Sequence, residues 1–70
     1  MKADAAIPWS RAKRNLLRAI AAANAGNRIF EVVPFDEPAV RDMALEGWVE
    51  MSIRGPVVTV QGERKLRAES

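Results

Sequence analysis

Apolar and polar residues follow two different periods along this chain. From residue 8 to residue 25 the apolar positions recur every three or four residues. Trp9, Ala12, Leu16, Leu17, Ile20 and Ala23 gather on one side of a helical wheel, and Arg11, Arg14 and Arg18 on the other. The stretch is rich in Ala, Leu, Arg and Lys, and Pro8 suits a first helical turn, where a missing N–H costs nothing. The pattern predicts a helix over 8–25, stopped by Gly26-Asn27 with Gly26 in the left-handed conformation.

The period then shortens. Residues 28–35, Arg-Ile-Phe-Glu-Val-Val-Pro-Phe, are β-branched and aromatic and sit between Gly-Asn and Asp-Glu-Pro, so they predict a strand that ends at Pro34 or lies at a sheet edge. Asp36 is the expected N-cap of a second, short helix, with Glu37 and Pro38 in its first turn. Val40, Met43, Ala44 and Gly47 share one side of it; Arg41, Asp42, Leu45 and Glu46 flank or oppose them. Gly47 is its left-handed stop. Residues 48–53 return to a strand period, with Val49, Met51 and Ile53 on one face and Glu50, Ser52 and Arg54 on the other. Arg54-Gly55-Pro56 supplies a turn, and 57–60 a returning strand that Gln61-Gly62 closes. Residues 63–70 read as a charged tail with a short helical turn near 64–67.

The predicted order is α-β-α-β-β: an α+β, winged-helix-like domain with a three-stranded antiparallel sheet packed on two helices. Trp9, Leu16, Leu17, Ile20, Val40, Met43, Trp48 and the inward hairpin residues form the expected core. Residues 1–70 are read as a single small domain with frayed ends at 1–7 and 67–70.

Composition narrows the chemistry. The 70 residues include no Cys, no His and no Tyr. Disulfides, thiolate metal sites, a Cys nucleophile and an imidazole base are thereby excluded. There is no continuous apolar signal-peptide core, and no apolar run near the roughly 20 residues of a membrane span. Without disulfides the expected compartment is reducing, and the expected location cytoplasmic. A net charge of +2 is compatible with a nucleic-acid partner.

Residues 43–50, Met-Ala-Leu-Glu-Gly-Trp-Val-Glu, resemble the end of the recognition helix and the start of the wing in winged helix-turn-helix DNA-binding domains. Residues 57–60, with Gly62 and Arg64 after them, resemble the second wing strand and the segment beyond it. The likeness spans about residues 38–66. It implies a helix in the major groove and a hairpin against the adjacent backbone or minor groove. The chain departs from the family pattern in two respects. A strand-like segment stands where the family has its middle helix. Asp42, Glu46 and Glu37 surround Arg41 on the helix that would face phosphates.

Each candidate has a functional and a structural interpretation. Arg11, Arg14 and Arg18, with Lys13 beside them, form either a phosphate-tracking stripe or a solvated helix face. Arg54 at the hairpin tip is either a groove contact or a solubilising turn residue. Arg64, Lys65 and Arg67 are either a nucleic-acid arm or a charged terminus. Trp9 and Trp48 are either stacking platforms or core residues. Ala21, Ala22 and Ala25 are either a close-packing surface for a partner helix or ordinary helix formers. Asp36, Glu37, Asp42 and Glu46 are the one carboxylate cluster, with Asp36 already explained as a cap. The expectation is a non-enzymatic DNA-binding or transcription-regulating module, without cofactor or metal, with Arg11, Arg14, Arg18, Arg41 and Arg54 as the nucleic-acid contacts. The alternative is a protein-interaction adaptor or inhibitor on the same scaffold that binds no nucleic acid. Double-stranded DNA, a protein, or a second copy in a homodimer are the partners these readings admit; a membrane is not.

Overall fold

The computed structural model describes residues 11–69. Trp9, the expected helix start at Pro8, the lead-in and Ser70 lie outside them. Helix α1 (Arg11–Ala25) is followed by an irregular segment, a 3-10 turn (Pro34–Asp36), α2 (Glu37–Leu45), the strands β1 (Val49–Ser52) and β2 (Gly55–Val58), and α3 (Val60–Glu69). This is an α+β domain of three helices and one antiparallel hairpin, ordered α-α-β-β-α. Among the described residues no helix is long and apolar enough to cross a membrane.

Helix α1 presents Leu17, Ile20 and Ala23 to the interior. Leu17 and Ile20 meet Val40 and Met43 of α2 and Val49 of β1; Leu16, Phe30, Val32, Trp48, Val58 and Leu66 close the cluster at its margins. Leu17, Ile20 and Met43 are fully buried, each worth about 1.5–3 kcal/mol relative to an exposed side chain. Helix α1 packs on β2 and α3, while α2 packs on β1 and the 3-10 turn.

The expected third strand is absent. Residues 28–33 keep the alternation of a strand, with Phe30 and Val32 half-buried and Ile29, Glu31 and Val33 exposed, yet they join no ladder. The outer edge of β2 is already occupied. Asn24 on α1 accepts a hydrogen bond from the Val58 N–H (2.9 Å) and donates to the Pro56 carbonyl (3.3 Å), as a neighbouring strand would. The two-residue period therefore reported burial, not pairing.

The second correction lies after β2. That strand ends at Val58, and Val60, expected to be its last residue, opens α3. Thr59 is the N-cap: its hydroxyl accepts from the Gly62 N–H (3.0 Å) and donates to the Gly47 carbonyl (2.6 Å). Gly62 is needed inside the helix because α3 grazes the start of β1. A Cβ there would stand 2.2 Å from the Trp48 carbonyl oxygen and 2.8 Å from the Val58 side chain.

Both longer connections leave their helices through the same device. At α2, Trp48 N–H reaches the Met43 carbonyl and Gly47 N–H the Ala44 carbonyl, with Gly47 at φ +84° as expected. At α1 the left-handed residue is Asn27 (φ +58°) instead of Gly26, with Arg28 N–H bonded to Ala23 and Asn27 N–H to Asn24. Asn tolerates this region better than other side-chain-bearing residues. Asp36 precedes α2 but makes no side-chain cap bond, because the 3-10 turn already holds it in a helical conformation (φ −90°, ψ −8°).

The hairpin pairs Val49 with Val58 and Met51 with Pro56. Pro56 lacks an N–H, and the Val58 N–H points away to Asn24, so these are the non-hydrogen-bonded pairs and Pro56 costs the ladder nothing. Of the three residues expected to point inward, Val49 is buried, Met51 is half-exposed and Ile53 is fully exposed. The hairpin outruns the helices that cover its base.

Candidate nucleic-acid interface

The hairpin tip and the C-terminal end of α1 converge. Ile53 and Arg54 form the turn, and Gly55 takes a positive φ of +97° after them. Ser52 fixes it: its hydroxyl donates to the Gly55 carbonyl (2.8 Å) and accepts from the Arg54 N–H (3.1 Å). This aims the Arg54 guanidinium at α1, where Nη1 donates a long hydrogen bond (3.5 Å) to Asn27 Oδ1. On the other side the turn at Asn27 sends Arg28 back over Gly26, with its guanidinium 3.4 Å from where a Cβ would stand.

A cleft results, lined by Asn24, Asn27, Arg28, Ser52, Arg54 and Val57. None of these is acidic, and among the described residues neither arginine is ion-paired with a carboxylate. Two guanidiniums facing one solvent-filled cleft repel each other and attract an anion. Their planar forks match phosphate oxygens, and the Asn27 amide adds a further donor. The same two cations complement the partial negative charge at the end of α1, whose own last turn holds no basic residue.

The other expected contacts are dispersed. Arg11 and Arg18 are exposed on α1, and Arg14 is half-buried. Asn24 marks the side of α1 that faces the hairpin. At 100° per residue, Arg18 and Arg11 lie about 120° and 140° around the helix from it. They do not share a surface with Arg54. Arg41 is exposed on α2, where it borders a groove with Val32, Glu37, Val40, Ala44 and Met51. Lys13 leaves the expected stripe altogether: it is 2% exposed and ion-paired with Asp42 of α2. That pairing also turns Asp42 inward, so the carboxylates left exposed on and beside α2 are Glu37 and Glu46. Trp48 is half-buried in the core margin, with Lys65 Nζ 5.2 Å from its ring centroid.

Sequence reasoning missed Arg28. Its signal was available: a cation placed directly after a helix stop projects at the helix end. It was absorbed into a strand that does not form. Asn24 carried no such signal, since its partners are more than thirty residues away.

No protein-family model matches the chain, and neither a curated protein nor a solved structure is significantly similar to it.

Proposed function

We propose that this domain is a non-enzymatic, transcription-regulating module that binds double-stranded DNA, with its phosphate contacts centred on Arg28 and Arg54. The supporting observation is the carboxylate-free cleft that holds both guanidiniums. In this reading the hairpin serves as a wing, and α2 does not enter the groove, because Glu37 and Glu46 are exposed on and beside it. Arg11 and Arg18 contribute a diffuse attraction from another face.

The test is binding of a labelled 20-base-pair duplex, measured by fluorescence anisotropy across a salt series. The expected outcome is binding in low salt that falls steeply as salt rises. The double variant Arg28→Ala/Arg54→Ala should flatten the log–log slope by about 1.8, near 0.9 per lost phosphate contact. Arg41→Ala should leave it unchanged. Absence of duplex binding in low salt, or a slope indifferent to the double variant, refutes the proposal. Unchanged binding with lowered stability would assign the two arginines to the end of α1 alone.

The second reading, a protein-interaction adaptor, draws on a different observation: Phe35 is 92% and Leu45 82% exposed, at the two ends of α2.

A further inference from the structure

We infer that the outer face of α2 is a two-fold self-association surface whose occupant is a second copy of this chain. This does not depend on nucleic-acid binding. Val33, Phe35 and Leu45 are exposed along the 33–45 stretch, and a groove lined by Val32, Val40, Ala44 and Met51 opens beside the helix. Isolated exposed apolar residues need no explanation, but an apolar groove on the same helix face as two charges does.

The charges on that face identify the occupant. Glu37 and Arg41 border the groove one turn apart, and among the described residues neither is in an ion pair. Two α2 helices packed antiparallel about a dyad that passes between Glu37 and Arg41, on the face that carries both, set each Glu37 against the other copy's Arg41. Both charges are then matched twice over by the symmetry itself. The same register carries each exposed Leu45 past the start of the other copy's α2, towards the segment that leads into it. A dyad at Arg41 would oppose two arginines, and one at Glu37 two glutamates, so the charge pattern selects one register. A purely acidic or purely basic partner would satisfy one of the two charges and repel the other. Helix α2 has nine residues and is about 13.5 Å long, so the contact is small and a micromolar dimer is expected.

The test is sedimentation equilibrium of the full chain from about 5 to 500 µM, with circular dichroism on every variant. The expected result is a reversible monomer–dimer equilibrium. Leu45→Lys should abolish it without changing the fold, since that side chain is exposed. Arg41→Glu should weaken dimerisation at least tenfold, as should Glu37→Arg. The double reversal Glu37→Arg/Arg41→Glu should restore it, because the swapped charges pair again across the dyad. A chain that stays monomeric throughout overturns the inference. So does a dimer that survives Leu45→Lys, or one that the double reversal fails to rescue.

Discussion

Two regions of this small domain are finished in opposite ways. Where α1, β2 and α3 meet, close approach is enforced and polar groups are matched. Asn24 satisfies the edge of β2, Thr59 ties α3 to the end of α2, and Gly62 lets α3 touch the Trp48 backbone. Around α2 and the segment before it, Phe35, Leu45 and Val33 stay in solvent. One side is specified by its own chain. The other leaves large apolar side chains in water. The Lys13–Asp42 ion pair joins the two regions across the core.

Substitutions at that pair carry the largest expected cost to stability. Lys13 is 2% exposed and Asp42 24%, so the two residues depend on the pair unequally. Asp42→Leu takes the carboxylate from a buried ammonium and should cost about 3 kcal/mol in urea unfolding. Lys13→Met leaves a carboxylate that still reaches water and should cost less. The double variant should recover most of the loss, since an apolar pair of similar volume needs no desolvation of charge. Equal costs for the two single variants would mean the burial asymmetry does not govern the pair.

Gly62 tests the seam directly. Gly62 stands in the first turn of α3, where Gly→Ala in open space stabilises by less than the roughly 0.5–1 kcal/mol of a helix interior. Here the added Cβ meets a backbone oxygen that has nowhere to go, and overpacking of this kind costs about 1–3 kcal/mol. Gly62→Ala should therefore destabilise by about 2 kcal/mol. A stabilising result would show that α3 does not approach β1 so closely.

The sequence made some of this legible and hid the rest for identifiable reasons. Local signals survived: the apolar stripe Leu17-Ile20-Ala23 of α1, the Gly47 stop and the hairpin each need only neighbouring residues. Signals that depend on distant partners failed. Phe30 and Val32 alternate like a strand because one side covers the core, but the ladder position beside β2 belongs to Asn24. Gly62 read as punctuation because its meaning lies in Trp48. Lys13 read as part of a basic stripe because its carboxylate sits on another helix. For the candidate cleft, Arg54 was visible as a hairpin-tip cation, whereas Arg28 was concealed inside a strand that does not exist.

Asn24→Ala comes next in size. It removes the acceptor for the Val58 N–H and the donor for the Pro56 carbonyl together. Unsatisfied backbone groups of this kind cost about 1–3 kcal/mol, and water reaching the half-buried site holds the loss near 1–2 kcal/mol. Hydrogen exchange at Val58 should quicken more than at Glu50, whose pair with Val57 lies within the hairpin's own ladder. Equal quickening at both would mean the side chain supports the whole hairpin and not one edge.

The smallest expected effect sharpens the contrast most. Phe35 keeps 92% of its surface in water, so folding removes less than a tenth of it. With full burial worth about 2–3 kcal/mol, Phe35→Ser should change monomer stability by only about 0.2 kcal/mol. Leu17→Ala, across the core, should cost about 2–5 kcal/mol. Phe35→Ser deletes six ring carbons and Leu17→Ala only three, yet the smaller deletion costs more because of where it lies. If α2 is a face awaiting a partner, Phe35→Ser should leave the urea midpoint of dilute protein unmoved and lower it at high concentration, where the wild-type chain gains from association. A midpoint that falls equally at both concentrations would mean Phe35 packs within its own chain, and the open side would then be as self-contained as the closed one.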